Sequence, residues 1–222
     1  MERPRIRRRD KLAPNPDVRR AILTAALKSI REQGVRGLSI AAVLDHAQLS
    51  TRAFYRHFES KDQLIAAAFL DMAHREMLRL TKKMTTAATA VDAVVAWIDG
   101  RLDLAFDKNI KSDLCRVSQE AQSQMFASPE LVQPAYAEML TPLIEQLERG
   151  LEHGEFHDID PITDAQSIQG VVWACTERQW ATGECERADV RERALRFCLR
   201  GLGVAAETIH QTAAQTVDRK AH

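Results

Sequence analysis

The sequence predicts an all-α protein, a small N-terminal helical head followed by a larger helical bundle. Apolar residues recur at helical spacing from Asp17 to about Ala206, and strand-favouring residues never alternate over a useful length. Gly, Pro and Ser/Asp caps punctuate the chain one helix at a time. Charge is also divided. Met1–Lys61 carries 14 Lys and Arg against 6 Asp and Glu, a net of +8, whereas Asp62–His222 carries 17 against 25, a net of −8. A formal net charge of zero therefore hides a basic first quarter, the part suited to meet a polyanion.

The elements follow in order. Met1–Ala13 holds Arg3, Arg5, Arg7, Arg8, Arg9 and Lys11 without apolar periodicity and reads as a flexible basic arm. Pro14 and Pro16 end it, and Asn15 or Asp17 caps the first helix. Val18, Ala21, Ile22, Ala25, Ala26 and Ile30 give that helix its apolar stripe; Gly34 stops it and Gly37 opens a turn. Ser39 caps a second helix, Ile40–Ala47, with Ala42, Val43 and Leu44 available for packing. Ser50 caps a third, Thr51–Phe58. Ser60, with Gln63 three residues on, has capping-box spacing for a long fourth helix over Lys61–Lys83, apolar at Leu64, Ile65, Ala68, Phe69, Met72 and Leu80. Further helices are expected over Ala87–Asp107, Ser112–Phe126, Pro129–His153, Ile162–Thr182 and Ala188–Ala206. They are separated by Asn109, Ser128-Pro129, Gly154, Asp160-Pro161 and Gly183. The tail is polar. These marks divide the chain into an arm (1–13), a three-helix head (14–62), a bundle (63–206) and a polar tail (207–222).

Composition narrows the class further. A chain that is 45% hydrophobic and 28% charged is ordinary for a globular protein. Four dispersed cysteines without a C-x-x-C pair argue against a zinc knuckle or dithiol redox motif. The arginine-rich start has no apolar stretch behind it, so no signal peptide is expected, and no apolar run approaches the ~20 residues needed to cross a bilayer. A cytoplasmic protein with reduced thiols, no membrane association and no cofactor is the expectation.

Ser39–Lys61, S-I-A-A-V-L-D-H-A-Q-L-S-T-R-A-F-Y-R-H-F-E-S-K, is the most informative segment. It reads as a helix-turn-helix: a small residue (Ala42) in the first helix, a tight turn at Gln48-Leu49, and Ser50 capping the second. Ala53, Phe54 and Phe58 form the buried side of that second helix. Thr51, Arg52, Tyr55 and Arg56 then face outward, where Arg takes guanine edges bidentately and Tyr suits phosphates. One short helix reads few base pairs, so a twofold dimer on a palindromic site is expected.

Asp17–Asp71 resembles the DNA-binding domain of the tetracycline-repressor (TetR) family of bacterial transcriptional regulators. The matching pieces are A-I-L-T-A-A-L, then Gly34, L-S-I-A-A-V-L-D-H-A, and L-S-T-R-A-F-Y-R-H-F-E-S-K-D-Q-L. The run from Tyr55 through Phe58, Ser60, Lys61 and Leu64 is the most specific. One departure stands at the turn, where the family usually has Gly and this chain has Gln48.

The resemblance implies a DNA-contacting set of Ser39, Ser50, Thr51, Arg52, Tyr55, Arg56, His57 and Lys61. Thr51 and Arg52 are expected on base edges; Ser39, Tyr55, Arg56, His57 and Lys61 on phosphates, with a base edge the alternative for Arg56 and with Lys61 aided by the positive end of its helix. It also implies that the C-terminal bundle binds a small organic effector and dimerises. Candidate effector residues are Trp97, Leu104, Cys115, Gln119, Gln122, Met125, Phe126, Tyr136, Met139, Leu143, Trp173, Glu177 and Trp180; Trp173, Glu177 and Trp180 share one helix face. The last two predicted helices are the interface candidates, through Ile168, Val171, Val172 and Cys175 on one and Val190, Ala194, Phe197, Gly201 and Val204 on the other.

The implied function is a repressor that binds double-stranded operator DNA as a homodimer and is released by its effector. No G-x-S-x-G, H-E-x-x-H, Walker or G-x-G-x-x-G motif supports an enzyme. His153 and His157 have i, i+4 spacing, but Gly154 breaks the helix between them and no metal is expected. The competing reading is a helical ligand-binding or interaction protein without sequence-specific DNA binding. It leaves the Thr51–Lys61 pattern and the +8 head without an explanation.

Overall fold

The computed structural model describes residues 15–107 and 111–214, without the side chains of 111–115 and 213–214. The basic arm, Asn109, the side chain of Cys115 and the last eight residues lie outside the described residues. Among the described residues the secondary structure is helical throughout, as the periodicity predicts. The chain separates into two compact units, 1–68 and 69–222.

The first unit holds α1 (Pro16–Gly37), α2 (Ile40–Ala47), α3 (Thr51–His57) and the beginning of α4 (Lys61–Met84). Asn15 caps α1 by accepting from the Asp17 amide at 2.9 Å, with Pro16 pre-set for the first turn. Gly34 ends the regular helix as expected: at φ 72° and ψ 173° it breaks the helical geometry, and a separate short turn follows to Gly37. Ile22, Ala26, Ile30, Val43, Phe54, Phe58 and Leu64 form the core of this unit, each nearly inaccessible to solvent. Ala42 is exposed rather than packed, because the apolar face of this two-turn helix is carried by Val43 and Leu44.

The second unit is built around α5 (Ala90–Phe106), which packs on α6 (Lys111–Ala127), α7 (Gln133–Glu152), α8 (Pro161–Thr182) and α9 (Arg187–Gly201). The reason is composition: Val91, Val94, Val95, Trp97, Ile98, Leu102 and Leu104 are distributed around α5, and a helix apolar on most sides must be covered on most sides. Its N-terminus is doubly satisfied. Thr89 accepts from the Asp92 amide at 3.0 Å, and the Glu155 carboxylate accepts from the amides of Ala90 at 2.9 Å and Val91 at 3.2 Å. Gly150 permits the close approach that brings this about, since a Cβ there would lie 2.2 Å from the Phe156 ring and 2.9 Å from Ala90 Cβ.

Two expectations change. The segment Pro129–His153 is divided: Pro129–Leu131 is a single 3₁₀ turn, and α7 starts afresh at Gln133 because Pro134 fits only its first turn. The polar stretch after Ala206 continues as α10 (Ala206–Ala214), held by one apolar anchor, Ile209, which is 4% exposed. Among the described residues no helix is long and apolar enough to cross a membrane.

Candidate functional site

The helix-turn-helix is assembled from α2 and α3. Leu49 and Gln48 donate their amides to Leu44 O at 2.9 Å and Asp45 O at 3.1 Å, closing the turn. Gln48 occupies the left-handed region at φ 53° and ψ 44°, a conformation that glycine adopts without strain. Holding a non-Gly residue there costs on the order of 1 kcal/mol. Ser50 caps α3 by accepting from the Ala53 amide at 3.3 Å. Ser39 stands at the N-cap of α2 but makes no side-chain capping bond, contrary to expectation, and its side chain is exposed.

Phe54 and Phe58 anchor α3 to the core, ring centroids 5.7 Å apart. Their burial fixes which side of the helix faces out. Thr51, Arg52, Tyr55 and Arg56 are exposed, Tyr55 to 61% although it is aromatic. His57 differs from its neighbours: it is half-buried, its Nδ1 is enclosed without a hydrogen-bond partner, and its ring lies beside Phe58. Burial, then the charges of Arg56 and Arg19, push its pKa below the ordinary histidine value. The uncharged ring is accordingly favoured over the cation. Arg19, which the sequence reading passed over, sits 5.5 Å from the centroid of Phe58 and adds positive charge beside His57. Lys61 is half-exposed in the first turn of α4. That end is capped reciprocally, Gln63 donating its amide to Ser60 Oγ at 3.0 Å and accepting the Glu59 amide at 2.6 Å.

The second unit contains a small, open-sided pocket of about 30 Å³. Its walls are Met72, Ala73 and Glu76 of α4, Arg101 and Leu104 of α5, Ser118 and Ala121 of α6, Ala135, Tyr136 and Met139 of α7, and Trp173 of α8. Of the sequence-predicted effector residues, Tyr136, Met139, Trp173 and Leu104 line it. Gln122 is adjacent, accepting from Tyr136 Oη at 2.6 Å, and Trp180 packs edge-on against Trp173 at 5.3 Å. The others are placed differently. Trp97 and Leu143 are fully buried core, Phe126 is 86% exposed, Gln119 and Glu177 are exposed, and Met125 is half-buried away from the cavity lining.

Glu76 and Arg101, unforeseen from the sequence, are the cavity's charged groups. Both are 5% exposed and meet at 3.0 Å, while Arg79 forks onto both oxygens of Glu76 at 2.7 and 2.8 Å. Burial alone would raise the Glu76 pKa; the Arg79 hydrogen bond and the charges of Arg101 and Arg79 outweigh it and hold the carboxyl below its usual range. Burial lowers the Arg101 pKa, with Glu76 opposing. Burial also raises the Tyr136 phenol to about 12, against the pull of Arg101. A sequence signal was available: Glu76 interrupts the stripe Phe69–Met72–Ala73–Leu80, and Arg101 the stripe Val94–Trp97–Ile98–Leu104.

The dimer candidates divide by burial. Ile168, Val172, Val190 and Ala194 are buried within the chain itself. Val171, Cys175 and Val204 are half-buried. Phe197, at 68%, and Gly201 remain exposed on α9.

Residues 22–68 match the family model for bacterial regulatory proteins of the tetR family. The N-terminal domain belongs to the TetR family. No curated protein matches the chain. Among solved structures, it resembles a tetR-family transcription regulator from Shewanella sp. PV-4, at 19% identity and TM-score 0.67, over 83% of this chain and 97% of that one. It also resembles RolR in complex with resorcinol, at 20% identity and TM-score 0.62, over 89% and 93%. A third is the transcriptional regulator FadR from Bacillus subtilis in complex with stearoyl-CoA, at 20% identity and TM-score 0.63, over 82% and 96%. The TetR-family head is thus joined to a bundle that shares the fold of these regulators.

Proposed function

We propose that the chain is a ligand-responsive transcriptional repressor without catalytic activity, acting in the cytoplasm. It binds a palindromic operator as a homodimer and is released by a small organic effector. The observation that carries this reading is α3: Phe54 and Phe58 lock it down while Thr51, Arg52, Tyr55 and Arg56 stand in solvent. Burying two aromatics while exposing a third and two guanidiniums beside it suits a base-reading helix. Thr51 and Arg52 take base edges, Tyr55, Arg56, Ser39 and Lys61 take phosphates, and Ser50 keeps α3 in register. His57, half-buried and with its uncharged ring favoured, has a supporting position beside Phe58 in place of a charged phosphate contact.

The cavity supports the effector part of the proposal, as do the resorcinol and stearoyl-CoA complexes of proteins with this fold. Helix α4 carries Leu64 in the head's core and Met72, Ala73 and Glu76 on the cavity wall, so one helix contributes residues to both units. An effector that binds two states of the bundle unequally shifts DNA affinity by that difference. Phe197 and Gly201 are assigned to the dimer contact. The test is selection from random duplexes at fixed salt with wild type and Arg52→Ala/Tyr55→Ala. A palindrome enriched by wild type and lost in the double variant is expected; no enrichment by folded protein would leave a helical ligand-binding protein without sequence-specific DNA binding.

A further inference from the structure

Arg101 is a cation in the wrong place for structure alone. Its side chain is 6% exposed, it lines the cavity, and its Nε has no hydrogen-bond partner. A buried donor left unmet costs on the order of 1–3 kcal/mol, more when charged. The neighbouring groups do not relieve it. Glu76, its ion-pair partner, is shared with Arg79, so one carboxylate serves two guanidiniums. Tyr136 already donates its hydroxyl hydrogen to Gln122. Apart from Ser118, the rest of the lining is apolar: Met72, Leu104, Met139 and Trp173 with three alanines.

We propose that the cavity takes a compact organic anion, an apolar body ending in a carboxylate-type group, with Arg101 as its anchor. The proposal rests on the effector reading above and supplies the ligand class. An anionic oxygen accepting from Arg101 Nε satisfies the unmet donor and adds negative charge beside the guanidinium, whose carboxylate Glu76 is shared with Arg79. The hydroxyl of Ser118 is the second donor available at the wall. The apolar body lies against Met72, Leu104, Met139 and the Trp173 indole. An amine of the same shape would bring a third cation to the cluster, and an uncharged amide would supply an acceptor without the charge. In a low-dielectric cavity the second difference is large, because charge-assisted hydrogen bonds are about twice as strong as neutral ones.

The test uses the full chain and two matched sets of probes: benzoate, 3-phenylpropionate, hexanoate and octanoate against the corresponding amides. Calorimetry and tryptophan fluorescence read binding without DNA. At least one carboxylate is expected to saturate the protein, its amide binding about tenfold more weakly or less. Arg101→Lys, which keeps the charge and removes Nε, is expected to weaken that carboxylate by about tenfold while near-ultraviolet circular dichroism stays native. If Arg101 variants fail to fold, the carboxylate-to-amide comparison on wild type still decides. No carboxylate binding, amides binding as tightly, or a folded Arg101→Lys with unchanged affinity would each overturn the proposal. A mobility shift on the selected operator runs in parallel. Protein that shifts DNA yet takes no carboxylate refutes the anion site and leaves the regulator reading standing. A carboxylate that binds but leaves the shift unaltered sustains the site and refutes its coupling to DNA.

Discussion

Replacing Glu76 with Gln keeps the shape of the side chain and removes its charge from beneath two guanidiniums. Three charge-assisted hydrogen bonds, at 2.7, 2.8 and 3.0 Å, become neutral or are lost. Arg79 retains the Gly100 carbonyl at 2.7 Å and the Asp103 carboxylate at 3.8 Å, so its loss is partial. Arg101 is more deeply enclosed and loses its carboxylate. Breaking a buried pair from one side costs about 3–5 kcal/mol, and the remaining Arg79 contacts argue for the lower end, about 3 kcal/mol. All three tryptophans, Trp97, Trp173 and Trp180, lie in the second unit, so urea denaturation followed by their fluorescence at fixed protein concentration reports on the bundle alone. The pH dependence has a definite sign. The folded pKa of Glu76 lies below its unfolded value of about 4.3. Its contribution is therefore complete above that unfolded value and is lost as pH falls through the lower folded one. The gap between wild type and Glu76→Gln should be level near neutrality and close on acidification. The double variant Glu76→Leu/Arg101→Met should recover most of the loss, because a well-packed apolar pair replaces a buried ion pair at little cost. A loss below about 1 kcal/mol for the single variant, or a double variant no better than it, would refute the reasoning.

Gln48→Gly relieves a left-handed non-glycine and, set against the greater freedom of glycine in the unfolded chain, is expected to change head stability by no more than about 1 kcal/mol and to leave operator binding intact, as thermal melts and mobility shifts will show. Gly150→Ala drives a methyl into the Phe156 ring and Ala90 and should destabilise the bundle by about 1–3 kcal/mol in the fluorescence-detected titration. Phe197→Arg is expected to turn a dimer into a monomer in sedimentation velocity without lowering helicity; a persistent dimer would move the interface off this part of α9. Deleting Met1–Lys11 should flatten the slope of log K for operator against log salt; an unchanged slope would show that the arm makes no phosphate contacts.

The head was legible because its signals are local. Ser50, Ser60 and Asn15 announce helix starts through side chains that bond amides two or three residues away, and each bond is present. Phe54 and Phe58, four apart, leave one orientation for α3. The error at Ser39 is also local in kind: it has the residue type of a cap without its bond, whereas Gly34 breaks the helix as its positive φ allows. The cavity was less legible because its members come from five helices separated by up to a hundred residues. A Trp or Phe at helical spacing does not reveal whether it faces core, cavity or solvent, and Trp97, Trp173 and Phe126 took those three positions in turn.

The more reliable sign in the bundle was a conflict, not a pattern. A carboxylate in the stripe of α4 and a guanidinium in the stripe of α5 each contradict the periodicity that predicts their helices. Local preference and tertiary demand normally agree, and disagreement concentrates where a protein does something other than fold. Glu76 and Arg101 together explain how the conflict is tolerated, since each makes the other's burial bearable. Pairing alone does not explain why it is kept, because an apolar pair of similar volume would hold the bundle at least as well. What an apolar pair could not do is present a guanidinium donor to a cavity otherwise walled by Met72, Leu104, Met139 and Trp173. Stability and recognition therefore make opposite predictions for Glu76→Leu/Arg101→Met: a bundle that unfolds at much the same urea concentration as wild type, and a cavity that no longer distinguishes a carboxylate from its amide.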